Sequence, residues 1–237
     1  MLPVEFDRRL KQTLYYGRNR YCPICESRLT AFLACSEPPR PDARCPVCGL
    51  VERHRMLWFV LRTHTDLFRR RGLSILHFAP ELPFARAFAR LPGVRYVTAD
   101  IDPEKAMERV DIQEMGYADA TFDVVLCCHV LEHIPNDRKG IGEIARVLKP
   151  GGWAALMVPV LSERTQEDPG VTDPEERERL YGQHDHLRSY GMDFAERVES
   201  CGLSVRAFRP GDVLGEDRMA LMSVADKDVV FLCTKPR

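Results

Sequence analysis

From residue 74 onward, short apolar runs alternate with segments whose apolar residues recur every three or four positions. Short apolar runs bounded by polar residues or glycine predict strands, and the three-to-four spacing predicts helices. Strands are expected at residues 74–78, 94–99, 109–112, 122–128, 153–158, 204–208 and 229–233, and helices at residues 84–90, 138–148 and 193–200. This alternation predicts an α/β fold with a seven-stranded, largely parallel sheet between helices.

The residues before this region follow a different pattern. Residues 51–71 place apolar side chains at helical spacing, and Gly72 is a typical helix stop. We therefore divide the chain into an N-terminal module over residues 1–50, a connecting helix over residues 51–72 and a main domain over residues 73–237.

Five of the nine cysteines lie in the first 50 residues. Cys22 and Cys25 form one Cys-x-x-Cys turn, and Cys45 and Cys48 form a second. Two such turns together supply the four thiolates of a tetrahedral zinc site. Because protein would fill all four positions, we expect a structural Zn²⁺ that adds folding energy to a module with little core. A redox Cys-x-x-Cys motif would leave the second pair unexplained.

The net charge of the 237-residue chain is −1, but the charge is unevenly distributed. Residues 1–72 carry 14 Lys and Arg against 7 Asp and Glu, whereas the remaining residues carry 20 against 28. The resulting +7 and −8 argue against a protein that coats nucleic acid along its whole surface, while the basic part keeps a macromolecular substrate open. The longest apolar run, residues 153–161, is too short to span a bilayer, and no export signal is evident, so we expect a cytoplasmic protein without a membrane partner.

Several motifs of the main domain carry a family resemblance. They are Tyr-Val-Thr-Ala-Asp-Ile at residues 96–101, Thr-Phe-Asp-Val-Val at 121–125, Val-Leu-Glu-His-Ile at 130–134 and Glu-Ile-Ala-Arg-Val-Leu-Lys-Pro-Gly-Gly at 143–152. Residues 75–160 resemble a class I S-adenosylmethionine (SAM)-dependent methyltransferase of the type 11 group. With the Cys-x-x-Cys pair and residues 182–191, the chain resembles a bacterial subgroup of zinc-containing methyltransferases. The resemblance implies a Rossmann-like methyltransferase sheet.

The resemblance also implies that SAM binds at the carboxyl ends of the strands. Asp100 would accept hydrogen bonds from the ribose hydroxyls, with Ile101 beside it. Asp111 would accept a hydrogen bond from the adenine amine, and Ile112 would cover the ring. Each carboxylate has an alternative role as the cap of a turn.

The loop after the first strand departs from the family pattern, which has an acidic residue followed by Gly-x-Gly-x-Gly. Residues 77–83 contain no glycine. Two readings are open: the loop is rebuilt so that the Glu81 carboxylate pairs with the amine of SAM, or SAM binding is lost. The other motifs favour the first reading. Besides the residues named above, the predicted cofactor site comprises Phe78, Ala79, Pro80, Glu81, Cys128 and His129.

Candidate bases follow the fourth strand. On a helical turn, His129 would share a face with Glu132 and His133, and both histidines have the pKa range of a general base. The spacing also resembles the Glu-x-x-Glu-His metal site of ubiquinone-pathway O-methyltransferases, with His129 at the first position. The alternative is that Glu132 and His133 only shape the SAM pocket.

A second cluster lies in residues 161–191, an insertion that we expect to form the lid of the acceptor pocket. His186 is a candidate base, Arg188 would clamp a carboxylate or phosphate, and Tyr190 would orient the acceptor. The alternative is a hydrogen-bonded lid without a direct role.

The sequence therefore predicts SAM-dependent methyl transfer to O or N of a small-molecule or saccharide-type acceptor, with SAM and structural Zn²⁺ as cofactors. One alternative is an RNA or protein methyltransferase that binds its substrate through the basic module, although nucleic acid is the less expected partner. Another is a non-catalytic scaffold with a methyltransferase fold. The sequence does not predict an oligomeric state.

Overall fold

The computed structural model describes residues 4–36 and 39–237, so residues 1–3 and 37–38 of the predicted N-terminal module lie outside the described part. Across the described residues, the helices are α1 Val4–Leu14, α2 Glu52–His64, α3 Leu82–Phe88, α4 Asp137–Val147, α5 Pro174–Tyr181, α6 Phe194–Glu199, α7 Pro210–Val213 and α8 Glu216–Met222. The strands are β1 Tyr16–Cys22, β2 Ser27–Leu29, β3 Leu33–Cys35, β4 Arg40–Arg44, β5 Ser74–Phe78, β6 Arg95–Asp100, β7 Glu108–Arg109, β8 Phe122–Cys128, β9 Leu148–Met157, β10 Val160–Ser162, β11 Gln166–Glu167, β12 Arg188–Gly191, β13 Ser204–Phe208 and β14 Val230–Thr234.

The chain forms two compact units. The first consists of Met1–Phe68 and Arg209–Asp228, and the second of Arg69–Phe208 and Val229–Arg237. The sequence-based boundaries differ from this division at one late segment, because α7 and α8 lie in the stretch assigned to the main domain but belong to the first unit.

A buried arginine explains why the late segment joins the first unit. Arg55 on α2 is fully buried, and its guanidinium donates hydrogen bonds to the carbonyl oxygens of Ala43 at 2.9 Å, Ser223 at 3.3 Å and Met222. It also lies over the ring of Phe32, 3.8 Å from the centroid. Burial lowers the pKa of Arg55, but the five donors of its planar fork suit several carbonyl oxygens at once. Arg55 therefore joins the Cys-rich module, α2 and the end of α8.

The connecting helix is shorter than predicted, because α2 ends at His64 rather than at residue 71. Thr65 adopts an extended conformation, and its hydroxyl donates a 2.7 Å hydrogen bond to the carbonyl oxygen of Leu61. The same hydroxyl oxygen accepts a hydrogen bond from the amide of Leu67. The threonine side chain thus replaces backbone bonds that a longer helix would need.

The second unit is built on a seven-stranded sheet in the order β13-β14-β9-β8-β5-β6-β7. The five strands from β9 to β7 are parallel, and β14 runs antiparallel to both of its neighbours. This confirms the predicted α/β fold with a seven-stranded, mostly parallel sheet. The strand predicted at residues 109–112 is displaced to Glu108–Arg109, because the amide of Val110 donates to the carbonyl oxygen of Asp100 and the chain then leaves the sheet.

Buried apolar residues on both faces of the sheet form the core of this unit. Every residue of β8 is buried, as expected of a central strand in a parallel sheet covered on both sides. On α4, Ile141, Ile144 and Val147 are fully buried at helical spacing. The side chain of Asn136 caps this helix by accepting a 3.0 Å hydrogen bond from the amide of Lys139.

The strand register brings three strand ends to one edge of the sheet. Phe78 on β5 pairs with Ala99 on β6 and with Cys127 on β8, and all three strands are parallel. Ala79 and Asp100 therefore lie side by side, together with the residues that follow β8. In open parallel sheets, ligands bind beyond this edge.

The inserted residues 161–191 lie mainly in a small sheet and one helix. The sheet has the order β10-β12-β11, and α5 precedes β12. The amide of Leu187 donates a 2.8 Å hydrogen bond to the carbonyl oxygen of Glu132, in the 3-10 helix Leu131–His133. The insertion is thus bonded to the segment that follows β8. None of the described helices combines the length and the apolar character needed to span a bilayer.

Candidate active site

A cavity of about 500 Å³ opens where β5, β6 and β8 end. This volume is in the range of small-ligand sites, which is roughly 300–1,000 Å³. The cavity is lined by Phe78, Ala79, Asp100, Ile101, Lys105, Val110, Asp111, Ile112, Gln113, His129, Val130, His133, Ile134, Pro135 and Asp185. Seven of the ten predicted cofactor-binding residues are among them, and Pro80, Glu81 and Cys128 are not.

Asp100 stands at the end of β6 and faces the cavity. One of its carboxylate oxygens accepts a 2.9 Å hydrogen bond from the amide of Asp102. Asp102 in turn caps the next turn by accepting from the amide of Glu104 at 3.0 Å, and that hydrogen bond lowers the pKa of Asp102. Asp100 therefore caps a turn with Oδ1 and also lines the cavity. One carboxylate can thus serve both predicted roles, as the cap of a turn and as the acceptor for the ribose hydroxyls.

Asp111 and Ile112 line another part of the cavity, in the segment that follows β7. The Asp111 carboxylate accepts hydrogen bonds from the backbone amide of Gln113 at 2.8 Å and from its side-chain amide at 3.2 Å. Ile112 is only 3% exposed and belongs to the hydrophobic core of the unit. A rigid apolar surface beside an exposed carboxylate is suited to a flat heteroaromatic ring with an amino group.

The glycine-free loop after β5 keeps a backbone conformation that usually needs glycine. Ala79 has a φ of +46°, and its amide donates a 2.9 Å hydrogen bond to the carbonyl oxygen of Ala99. A positive φ is strained for any residue with a Cβ atom. The alanine thus holds a left-handed turn at the edge of the cavity.

Glu81 lies at the start of α3 and is directed toward His77. Its Oε2 atom is 3.4 Å from Nε2 of His77, which is fully buried. The other ring nitrogen of His77 is 2.8 Å from the hydroxyl of Tyr96, whose pKa is raised by burial. His77, which stands where the family has an acidic residue, is therefore part of a buried polar cluster in this protein. The pairing of Glu81 with a SAM amine stays a prediction.

His129 is the first residue after β8 and lines the cavity. Its φ is +54°, and its amide donates a 2.9 Å hydrogen bond to the carbonyl oxygen of Met157. Its Nδ1 atom is 3.0 Å from Oε1 of Glu132, which is fully buried. The carboxylate fixes the ring and leaves Nε2 as the nitrogen available to a ligand.

His133 and His186 meet although 53 positions separate them. Their ring centroids are 4.8 Å apart in an edge-to-face arrangement. His133 lines the cavity, and its Nδ1 atom is 3.2 Å from Oδ2 of Asp185. His186 is 4% exposed, and its Nδ1 atom is 2.9 Å from the carbonyl oxygen of Tyr181. Burial is the main reason why the pKa of His186 is lowered.

Arg188 is directed away from the cavity lining and is occupied by backbone bonds. Its guanidinium donates to the carbonyl oxygens of Leu131 at 3.0 Å, Ile134 at 2.7 Å and Pro135 at 2.9 Å. Its Nε atom donates to Glu167 at 2.8 Å. Arg188 thereby holds the segment that carries His133.

Tyr190 is also buried and outside the cavity lining. Its hydroxyl is 2.7 Å from Oδ2 of Asp137 and 3.1 Å from the carbonyl oxygen of Leu131. Burial raises the pKa of Tyr190, so the phenol stays neutral and donates. Arg197 also donates to the Asp137 carboxylate, at 2.6 Å. The acceptor contacts predicted for Arg188 and Tyr190 stay predictions, and in this structure both side chains support the cavity wall.

Comparison with known proteins agrees with this geometry. Residues 80–156 match the family model described as a methyltransferase domain. This segment of the chain is thus similar to a methyltransferase domain. The match begins in the glycine-free loop, just after β5, and ends in β9, so it includes the ends of β6 and β8 but not that of β5.

Curated relatives of the methyltransferase domain match over short stretches. A 27-O-demethylrifamycin SV methyltransferase from Amycolatopsis mediterranei is 44% identical over 62 residues, which are 26% of this chain and 23% of the relative. A ubiquinone biosynthesis O-methyltransferase from Alkalilimnicola ehrlichii is 32% identical over 65 residues, 27% of this chain and 26% of the relative. The matched part thus spans about a quarter of the length of these relatives.

Solved structures extend the likeness to most of the chain. The 1,6-didemethyltoxoflavin-N1-methyltransferase of Burkholderia thailandensis, which contains 1,6-didemethyltoxoflavin and S-adenosylhomocysteine, has a TM-score of 0.52 at 15% identity. The alignment covers 78% of this chain and 79% of that one. The [4+2]-cyclase SpnF has a TM-score of 0.54 at 15% identity, over 77% of this chain and 81% of its own. At this identity the likeness establishes the fold of the methyltransferase domain.

Sequence reasoning missed part of the cavity wall. Gln113, Ile134 and Asp185 had usable signals, because each lies one or two positions from a predicted residue. Pro135 lies two positions from His133 and had the same signal, whereas Lys105 carried none.

The four-cysteine cluster of the first unit has the geometry of a metal site. The Sγ atoms of Cys22 and Cys48 are 3.7 Å apart, and those of Cys25 and Cys45 are 3.6 Å apart. All four sulfur atoms lie within 4.8 Å of one another, and all four cysteines are free thiols. A tetrahedral site with Zn–S bonds of about 2.3 Å requires S–S separations of about 3.8 Å. The two measured separations are close to this value, so the chemistry and spacing of the four cysteines suit Zn²⁺.

Proposed function

We propose that the methyltransferase domain binds SAM in the cavity and transfers its methyl group to O or N of a small-molecule acceptor. The observation that carries the proposal is the joint placement of Ala79, Asp100, Asp111 and Ile112 around one cavity at the carboxyl edge of the sheet. These residues were assigned to SAM from the sequence, and they come from separate strand ends. SAM would supply an electrophilic methyl group on a sulfonium.

The carboxylates and the apolar wall would orient the cofactor. Asp100 would accept from the ribose hydroxyls with Oδ2, since Oδ1 is bonded to a backbone amide. Asp111 would accept from the adenine amine while Ile112 covers the ring. Lys105 also lines this part of the cavity, but its side chain is 68% exposed and 3.2 Å from Asp102, so its contribution is a flexible charge at the rim.

Of the predicted bases, His129 has the better geometry. Methyl transfer to a hydroxyl or ammonium acceptor requires removal of a proton. The His129 ring lines the cavity, and the Glu132 carboxylate orients it at 3.0 Å, which is the usual arrangement of a base and its orienting group. His133 also lines the cavity, but its Nδ1 atom is paired with Asp185 from the insertion. His186, Arg188 and Tyr190 act as positioning residues in this proposal.

A small-molecule acceptor is favoured because the insertion closes one side of the cavity through Asp185. A saccharide-type acceptor is one member of this class. Two relatives, a 27-O-demethylrifamycin SV methyltransferase and a ubiquinone biosynthesis O-methyltransferase, support the class and do not identify the acceptor. The basic charge of residues 1–72 supports the second candidate, an RNA or protein acceptor.

We propose that the first unit holds one structural Zn²⁺ through Cys22, Cys25, Cys45 and Cys48. Support comes from the near-tetrahedral spacing of the four sulfur atoms. Zinc would supply folding free energy to a region with few buried apolar residues.

Calorimetric titration with SAM and with S-adenosylhomocysteine tests the cofactor proposal. Asp100→Ala should weaken binding at least about 10-fold, because it removes a charge-assisted hydrogen-bond acceptor. Asp102→Ala is the matched control, since that carboxylate caps the neighbouring turn and is not part of the cavity lining. Absence of binding to the folded protein, or equal effects of both variants, would favour the non-catalytic scaffold.

The acceptor class is tested with SAM that carries a tritiated methyl group. The protein is incubated separately with a small-molecule extract, total RNA and a protein fraction from the same cells. Label in the small-molecule extract alone supports the proposal. Label in RNA or protein that disappears when Arg18, Arg28 and Arg44 are replaced by Ser would overturn the acceptor class and establish the role of the basic module.

A further inference from the structure

A group of three metal-ligating side chains lies directly behind the cavity wall. Glu132, His133 and His186 offer ligand atoms that all lie within 4.8 Å of one another. We propose that these three residues bind a divalent first-row transition-metal ion at a second site, separate from the four cysteines. The site joins the 3-10 helix to the insertion. The proposed site differs from the Glu-x-x-Glu-His metal site that residues 129–133 resemble, because His186 is a ligand here and His129 is not.

The buried polar atoms of this group are the main reason for the proposal. Glu132 is fully buried and His186 is 4% exposed. Within the described part of the chain, neither Oε2 of Glu132 nor Nε2 of His186 has a hydrogen-bond partner. Buried polar atoms are nearly always satisfied in folded proteins, so two such atoms beside each other need an explanation.

The tautomer of His186 leaves a lone pair on its second ring nitrogen. Its Nδ1 atom is 2.9 Å from the Tyr181 carbonyl oxygen, which can only accept, so Nδ1 carries the proton. In neutral imidazole Nε2 then has a lone pair, and the nearby Glu132 oxygen is also an acceptor. A cation bound by this group would satisfy both acceptors.

Groups around the ligands have the arrangement that supports a metal site. A ligating histidine usually donates its second N–H to a carbonyl or carboxylate, which fixes the ring. His186 does so to Tyr181, and Nδ1 of His133 lies 3.2 Å from Oδ2 of Asp185. His129 is 3.0 Å from Oε1 of Glu132, so it orients this carboxylate and leaves Oε2 for the metal.

The backbone around the ligands is held in place from both sides. The amide of Leu187 donates to the carbonyl oxygen of Glu132, and Arg188 donates to the carbonyl oxygens on either side of it in sequence, those of Leu131 and Ile134. His186 is the next residue in the chain before Leu187. The distance between the two protein segments is therefore fixed, and ligand atoms within 4.8 Å need only small side-chain rotations to reach bonds of about 2.0–2.2 Å.

The ligand set points to a class of metal. Two imidazoles and one carboxylate suit Zn²⁺, Fe²⁺ or Co²⁺ better than Mg²⁺ or Ca²⁺, which prefer oxygen ligands. One carboxylate leaves a net charge of +1 on a bound dication. Three protein ligands also leave a fourth position for water or an acceptor oxygen, as in catalytic zinc sites. His133 lines the cavity, so the ion would lie next to the cavity wall.

Co²⁺ titration into full-length protein that retains one Zn²⁺ per chain after dialysis against a mild chelator tests the proposal without SAM. Thiolates retain zinc, so added Co²⁺ reports on the second site. We expect one equivalent of bound Co²⁺ per chain, counted by elemental analysis after dialysis, with visible d–d absorption but no thiolate charge-transfer band. His133→Gln and His186→Gln should each weaken Co²⁺ binding at least 10-fold. His184→Gln is the control and should bind Co²⁺ as the wild type does, because His184 is exposed on the same loop.

Folding of each variant is checked by far-UV circular dichroism before titration. His133→Gln keeps the test decisive if the buried variants do not fold, because the His133 side chain is 34% exposed. The proposal is overturned if folded wild-type protein binds no Co²⁺ beyond the thiolate site. It is equally overturned if His133→Gln binds Co²⁺ with unchanged affinity. Because SAM is absent, neither result bears on the cofactor proposal.

Discussion

Replacement of Arg188 by lysine should loosen the cavity wall behind the 3-10 helix. Arg188 is 5% exposed and donates to three carbonyl oxygens, those of Leu131, Ile134 and Pro135, as well as to Glu167. A lysine keeps the positive charge but has a single nitrogen on a flexible stem. It can replace one or two of these four bonds, so at least two of the four acceptors lose this donor, and at least one of them is a carbonyl oxygen.

The expected destabilisation follows from these lost bonds. Each buried acceptor left without a donor costs about 1–3 kcal/mol, so Arg188→Lys should lower the free energy of unfolding of the second unit by about 3 kcal/mol. At roughly 2–4 °C per kcal/mol for a unit of this size, the melting temperature should fall by about 6–12 °C. In folded variant protein, affinity for S-adenosylhomocysteine should fall several-fold, because Ile134 and Pro135 line the cavity.

The two tryptophans allow each unit to be followed separately. Trp58 lies in the first unit and Trp153 in the second, and the chain has no other tryptophan. In a Trp58→Phe background, urea unfolding followed by fluorescence therefore reports on the second unit. Arg164→Lys is the control, since the Arg164 side chain is 76% exposed, and it should change stability by less than about 0.5 kcal/mol. A similarly small effect of Arg188→Lys would refute the proposed role of the arginine.

Three further predictions use the same reporters. Ala79→Gly should stabilise the second unit by about 0.5–1 kcal/mol, because glycine tolerates the φ of +46°; a loss of stability would contradict the strain argument. Glu167, whose pKa is lowered to about 2 mainly by its hydrogen bond to Arg197, contributes stability above its unfolded pKa near 4.5, and this contribution is lost as pH falls toward 2. Because this carboxylate is 40% exposed, Glu167→Gln should cost only about 1 kcal/mol at pH 7 and nothing near pH 2, measured by urea unfolding; equal costs at both pH values would exclude the ion pair as the cause. A mercurial thiol reagent should release one zinc per chain from the four cysteines and shift the fluorescence of Trp58 in a Trp153→Phe background. The control variant Cys35→Ser should contain one zinc per chain as the wild type does, because Cys35 is not one of the four ligands. A chain that releases no zinc would refute the thiolate site.

The sequence predicted the sheet and the strand-end residues because both depend on local patterns. Short apolar runs separated by helical segments leave few arrangements other than a parallel sheet. In such a sheet Asp100 and Ala79 follow neighbouring parallel strands, so their common edge could be inferred without coordinates. The sheet order confirms the predicted fold, and the binding roles of the strand-end residues stay predictions.

The sequence did not predict features that depend on contacts between distant segments. The burial of Arg55 against the end of α8 assigns the late helices to the first unit, and no spacing rule links these segments. The end of α2 depends on one hydroxyl, that of Thr65. His186 reaches Glu132 only because the insertion folds onto the 3-10 helix.

Hydrogen exchange measured by mass spectrometry, with and without saturating S-adenosylhomocysteine, tests the central claim most directly. The account predicts slower exchange in peptides that cover residues 78–81, 100–113 and 129–135, because these segments form the cavity wall. Exchange should be unchanged in peptides of β13, which is the outermost strand on the side of the sheet away from β7, and these peptides serve as the internal reference. Unchanged exchange in all three cavity segments at saturating ligand would contradict the claim that this cavity is the cofactor site.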